Sequence, residues 1–114
     1  MAQTKIKKEL IDASFGTEWQ SAVKTSNFTA SAGQGVFCNT TSGAFTLTLP
    51  ASPSIGDEVS FVDYAGTFDT NNLTIGRNSS KIHGATEDLT IAVERAANTL
   101  VFTDSTQGWL LKNK

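Results

Sequence analysis

The segment of the sequence that most constrains the fold is FTLTL, residues 45–49, where apolar and hydroxyl side chains alternate strictly. In an extended strand this alternation places phenylalanine and leucine on one face and threonine on the other, so the strand is half-buried. Pro50 and Pro53 follow immediately, and neither can donate a hydrogen bond to a sheet. The sequence therefore predicts a β-strand that ends at Leu49.

Similar short apolar runs, separated by Gly, Asn, Asp and Ser, continue along residues 17–114. This spacing is typical of sandwiches and barrels, and it predicts an all-β, single-domain antiparallel β-sandwich, jelly-roll-like, with about nine short strands. Residues 95–98 predict a hairpin turn, and residues 104–108 a turn into the last strand.

Residues 1–16 predict an N-terminal arm or a short helix. Ile6, Leu10 and Ile11 would form one short apolar stripe, too short to be stable as an isolated helix. We expect this segment to pack on a neighbouring subunit or on an upstream stem.

Composition excludes several classes of function. The 114 residues carry a net charge of −2, which is too little positive charge for a nucleic-acid-binding surface. No run of apolar residues is long enough to insert into a membrane, and the first residues lack the apolar core of a signal peptide, so synthesis in a cytoplasm is expected. Cys38 is the single cysteine, which excludes an intrachain disulfide, and we expect it to be a small apolar residue.

The sequence lacks a recognisable arrangement of catalytic groups. His83 is the single histidine and lies in a glycine-flanked turn, where a plain loop residue is expected. Most carboxylates fall at strand ends and turns, where Asp stabilises the local backbone. Residues 69–72 offer several oxygen ligands but lack the glycine and glutamate of an EF-hand. We expect no catalytic residue, no cofactor, no metal ion and no enzymatic activity.

The run from Glu58 to Tyr64 is apolar on both faces. Val59 and Phe61 point to one side of the strand, and Val62 and Tyr64 point to the other. Two arrangements are possible. Either Val62 and Tyr64 are buried between subunits, or they lie in the core while Val59 and Phe61 face outward.

A longer set of motifs extends over nearly the whole chain. These motifs are Leu49-Pro50, Pro53 with Gly56-Asp57, Asp63-Tyr64, Asn72 to Ile75, Ile82 to Gly84, Leu100 to Asp104, and Gly108-Trp109. Their spacing resembles a β-sandwich module of bacteriophage tail-fibre and virion structural proteins, especially those of marine cyanophages.

The resemblance implies a homotrimeric, virion-located structural protein, in a tail fibre or spike, whose partners are other virion proteins and a host-surface glycan. It implies no catalytic residues. Two alternatives remain: a monomeric carbohydrate-binding, lectin-like module, and a capsid decoration protein.

Two sets of residues are candidates for these contacts. For the subunit interface we predict Ile6, Leu10, Ile11, Val62 and Tyr64. For the host surface we predict loop residues that can stack on a sugar or hydrogen-bond to it, although Phe68 could instead fold onto the core. The predicted host contacts are Tyr64, Phe68, Asp69, Asn71, Asn72, Arg77, Asn78 and His83.

Overall fold

The structure is a computed structural model that describes residues 16–113, and all regular secondary structure in this range is β-strand. The prediction for residues 1–15, including Ile6, Leu10 and Ile11, lies outside the described residues. The strands are β1 (Glu18–Trp19), β2 (Phe28–Thr29), β3 (Gln34–Cys38), β4 (Phe45–Thr48), β5 (Glu58–Asp63), β6 (Leu73–Gly76), β7 (Leu89–Ile91), β8 (Ala97–Phe102) and β9 (Trp109–Leu111).

The nine strands form two mixed sheets. The five-stranded sheet has the order β1-β3-β5-β8-β9, and the four-stranded sheet has the order β2-β4-β6-β7. Up to β6 the chain alternates between the sheets, and from β3 onward each of these strands pairs in parallel with the strand two positions earlier. Successive coils therefore stack on one another, as in a β-solenoid. The prediction of an all-β fold with about nine strands is confirmed, and two sheets packed on a shared core are compatible with a sandwich, but the sheets are mixed, so the prediction of a purely antiparallel, jelly-roll-like arrangement is wrong.

The path of the chain between the two sheets explains the parallel pairing. Hairpin loops that return a strand beside its predecessor usually contain about two to five residues. Residues 49–57 and 64–72 are longer than that, and each carries the chain from one sheet to the other. After two such crossings the chain is back in the sheet where it started. The new strand then runs beside the previous strand of that sheet, in the same direction.

Antiparallel pairing is confined to the C-terminal strands. There β7 pairs with β6, β8 with β5, and β9 with β8. The turn at residues 104–108 thus joins two neighbouring strands. The hairpin predicted at residues 95–98 is wrong, because β7 and β8 belong to different sheets.

The core lies between the two sheets and draws side chains from both. Val59 and Phe61 are fully buried there, whereas Val62 and Tyr64 lie on the outer face of β5. The alternative that places Val62 and Tyr64 in the core is therefore wrong. Each fully buried side chain of this size contributes about 1.5–3 kcal/mol. The core comprises Ala30, Val36, Cys38, Phe45, Leu47, Leu49, Val59, Phe61, Phe68, Leu73, Ile75, Ile82, Ile91, Leu100 and Trp109.

The outer faces of the two sheets differ in chemistry. On the four-stranded sheet, Thr46, Thr74 and Thr90 are aligned across three strands and form a hydroxyl-bearing surface. On the five-stranded sheet, Phe37 and Val62 are aligned on neighbouring strands and are only half-buried. Aromatic and aliphatic contact surface is therefore concentrated outside the five-stranded sheet.

Candidate functional site

The predicted host contacts divide between two loops at opposite ends of β6. Tyr64, Phe68, Asp69, Asn71 and Asn72 precede this strand, and Arg77, Asn78 and His83 follow it. Because β6 separates them, the two groups do not form one continuous binding surface.

Phe68 belongs to the core and not to the surface. Its side chain is fully buried, and its ring lies 6.4 Å from that of Phe61, measured between centroids. Its backbone N–H donates to the Asp63 carboxylate at 3.0 Å, which holds the loop turned inward. The prediction that Phe68 stacks on a sugar is therefore wrong, and the alternative that it folds onto the core is correct.

Asp63 organises the loop that follows β5. The residue is 1% exposed, and its carboxylate accepts hydrogen bonds from the backbone N–H groups of Gly66, Thr67, Phe68 and Arg95 at 2.9–3.1 Å. Burial on its own would raise the pKa of this carboxyl, but the four backbone donors outweigh it and hold the pKa below its usual value. The carboxylate is therefore a charged structural centre.

Arg95 links this loop to the connection between β7 and β8. Its guanidinium donates to the carbonyl oxygen of Tyr64 at 2.8 Å, and its backbone adopts a left-handed φ of 63°. The guanidinium lies close over Gly66. A Cβ atom at residue 66 would come within 2.8 Å of Arg95 Nε, so the absence of a side chain makes room for the arginine. The two loops are thus held together at one end of the molecule.

Several predicted contacts are engaged in internal hydrogen bonds. The side-chain amide of Asn71 donates to the carbonyl of Thr40 at 2.9 Å, and that of Asn78 to the carbonyl of Leu49 at 2.9 Å. Arg77 donates to the carbonyl of Ser80 at 3.0 Å. These three side chains therefore brace the turns, whereas Asp69 is exposed and Asn72 is half-buried.

His83 covers the edge of the five-stranded sheet. Its backbone N–H donates to the carbonyl of Trp109 at 2.9 Å, and its Nε2 accepts the backbone N–H of Leu111 at 3.0 Å. Both partners lie in β9, the last strand of that sheet. His83 satisfies backbone groups that an edge strand would otherwise leave open.

An exposed aromatic platform lies on the outer face at β1. Trp19 is 43% exposed, and its ring stacks on Phe37 with centroids 4.8 Å apart and planes 23° apart. The indole covers Gly35, where a Cβ would come within 2.5 Å of the ring. Glycine at this position lets the indole lie against the backbone of β3.

An open groove of about 690 Å³ lies on the same outer face of the sheet as this platform. Gly35, beneath the indole, is aligned with Ser60, which lines the groove. At the far side, Lys112 Nζ lies 3.0 Å from Glu58 Oε2. The polar lining includes Thr17, Gln34, Asp57, Glu58, Ser60 and Lys112.

This arrangement is suited to binding. Cys38 is buried, and its burial, followed by the nearby Asp63 charge, raises the pKa of the thiol to about 12, so it is a poor nucleophile. Within residues 16–113, no three His, Cys, Asp or Glu side chains form a group that could hold a metal ion. The groove offers hydrogen-bonding side chains, and the flat Trp19 ring is exposed on the same face of the sheet.

Comparisons with known proteins leave the family open. No protein-family model matches the chain, and no curated protein matches its sequence. Among the described residues there is no helix long and apolar enough to cross a membrane.

Sequence reasoning missed the platform and the groove. Trp19 is absent from the predicted contacts, although its polar neighbours Glu18 and Gln20 are a local signal of exposure. No local pattern indicates that Glu58 and Lys112, 54 positions apart, meet at one side of a groove.

Proposed function

We propose that this chain is a non-catalytic structural module of a viral fibre or spike, which assembles as a homotrimer and contacts the host cell surface. The observation that carries the proposal is the surplus apolar surface outside β5. Val59 and Phe61 already fill the core side of this strand, while Val62 is half-buried and Tyr64 is 53% exposed on the other side.

A contact between copies would use this surface. Val62 is aligned with Phe37 on the neighbouring strand, so the two side chains form one apolar patch. Burial of such surface contributes roughly 25 cal/mol per Å². Closed symmetric assembly is the usual way in which identical chains bury a shared patch.

The stacked coils also support a fibre role. Within residues 16–113, β1 and β2 each have one strand neighbour and belong to the same first coil. Unpaired strand edges are templates for further pairing. A module in which each sheet has an edge strand in the first coil is suited to continue a longitudinal stack, and three copies side by side would present three host contacts, which raises avidity.

The experiment that tests this proposal is light scattering coupled to size exclusion over a range of concentrations. We expect a species of three chains. Val62→Lys should dissociate it, because a charge would enter the apolar contact. The matched control is Thr90→Lys, which adds the same charge to the outer face of the other sheet and should leave the trimer intact. A concentration-independent monomer would contradict the proposal.

A second candidate function is a monomeric, lectin-like carbohydrate-binding module. The exposed Trp19 ring beside a polar groove favours it, since aromatic faces and hydrogen-bonding groups together recognise sugars. A monomer that binds a saccharide would favour this candidate over the fibre.

A further inference from the structure

We infer that the groove lined by Gln34, Glu58 and Lys112 binds a neutral glycan, and that the exposed indole of Trp19, on the same face of the sheet, stacks against one pyranose ring. This inference rests on the host-contact part of the proposed function and does not require the trimer. It assigns a site distinct from the loop residues that the sequence indicated.

The aromatic platform is the first argument. An indole that is nearly half exposed costs free energy in water, unless something covers it. Here the lower face of the ring is held by Phe37 and by the backbone at Gly35, so its orientation is set before any ligand arrives. A preorganised ring loses little entropy on binding, and its apolar face matches the C–H face of a pyranose.

The polar lining is the second argument. Glu58 and Lys112 supply an acceptor and a donor that already lie 3.0 Å apart, and both are partly exposed. A pair of neighbouring sugar hydroxyls could bridge such groups, each donating to the carboxylate and accepting from the ammonium. The Ser60 hydroxyl lies 2.8 Å from that of Thr99, which orients a further polar group at the groove floor.

The charge of the groove selects the class of glycan. Asp57 and Glu58 contribute two carboxylates against the single ammonium of Lys112. Glu18, next to Trp19, adds a further exposed carboxylate. An acidic sugar would meet like charges, so a neutral glycan fits better.

The size of the groove agrees with such a ligand. Binding clefts for small molecules usually enclose about 300–1,000 Å³, and this groove of about 690 Å³ falls in that range. It lies at the Glu58 end of β5, whereas Val62 and Tyr64 lie at the opposite end. At about 3.3 Å per residue, Glu58 and Tyr64 are roughly 20 Å apart, and Trp19, which stacks on Phe37, lies between the groove and the proposed subunit contact.

The test uses the two tryptophans as internal probes. The full chain is titrated with neutral oligosaccharides built of glucose, galactose, mannose or N-acetylglucosamine, and separately with a sialylated oligosaccharide, while intrinsic fluorescence is recorded. We expect a neutral saccharide to shift the emission of the exposed Trp19. Trp109→Phe should retain the response, because Trp109 is fully buried in the core.

Variants then assign the response to the groove. Trp19→Ala and Glu58→Gln should each weaken binding about tenfold, measured by calorimetry. Gly35→Ala should also weaken it, since the added methyl displaces the indole without removing any ligand contact. The matched control is Val93→Ala, an exposed apolar residue outside the groove, which should bind as the unchanged chain does.

The outcomes separate this inference from the trimer. An unchanged Trp19 emission with every neutral saccharide, a response to the acidic saccharide alone, or binding unaffected by Trp19→Ala would each overturn it. A monomer that binds through Trp19 supports the groove and contradicts the trimer. A trimer whose Trp19 emission does not change with any neutral saccharide supports the trimer and contradicts the groove.

Discussion

The carboxylate of Asp63 accepts a hydrogen bond from the backbone N–H of Arg95 at 2.9 Å, although the two residues are 32 positions apart. The same carboxylate accepts N–H groups from the loop that follows β5. One side chain therefore closes its own loop and attaches it to the connection between β7 and β8. A buried charge without these donors would be strongly destabilising.

Replacing Asp63 with Asn should destabilise the fold by about 3 kcal/mol. The amide of asparagine turns an N–H group toward backbone N–H donors, and hydrogen bonds to a charged acceptor contribute about 1.5–3 kcal/mol. The measurement is the free energy of unfolding in denaturant. Asp69→Asn, in the same loop but exposed, is the control and should change stability by less than about 0.5 kcal/mol. Equal effects of the two variants would contradict the structural role of Asp63.

The same carboxylate should make stability depend on acidic pH. Because folding lowers the pKa of Asp63 below its usual 3.8, its contribution is present above that value and is lost as pH falls through the folded-state pKa. Unfolding free energies should therefore drop on acidification more steeply for the unchanged chain than for Asp63→Asn. Parallel pH profiles for the two proteins would contradict this assignment.

Gly108→Ala should be among the most damaging single substitutions. Gly108 has a φ of 74°, and a Cβ would lie 1.9 Å from the carbonyl oxygen of Lys81, so the backbone would have to move. We expect a loss of about 3 kcal/mol or more in unfolding free energy. Gly33→Ala is the matched control, because Gly33 also has a positive φ of 88° but open space around the Cβ position. It should cost only about 1–2 kcal/mol of backbone strain.

Cys38 should be unreactive toward thiol reagents in the folded protein. Its burial and its pKa of about 12 leave almost no accessible thiolate at mildly alkaline pH. The chain should incorporate one equivalent of label after denaturation and almost none before. An introduced cysteine at the exposed Thr90 in a Cys38→Ala background controls for the reagent. Rapid labelling of native Cys38 would show that the core opens readily.

The fate of particular residues shows how far local sequence rules reach. Leu47 and Leu49 are fully buried as their alternation predicts, because the side chains of a strand point alternately to opposite faces. Phe68 lacks any such pattern, since it lies in a polar loop, and only its hydrogen bond to Asp63 and its packing on Phe61 explain its burial.

The candidate site was less predictable than the fold. Trp19 and Glu58 belong to strands that are separated along the chain, and β3 between them is what brings them onto one face. The predicted loop contacts, by contrast, rest on the capacity of their side chains to stack on a sugar or to hydrogen-bond to it. Asn71, Arg77 and Asn78 turn out to donate to backbone carbonyls, which is a common use of polar loop side chains.

The sequence by itself determined that the described residues form about nine short strands and that β4 buries its phenylalanine and leucine side chains, because both depend on backbone sterics and on a period of two residues. Only the tertiary structure decided that the first six strands pair in parallel as stacked coils. The physical reason is that each strand can pair with several others that are far from it along the chain. Which pairing is stable depends on the free energy gained when both sheets are buried against one shared core.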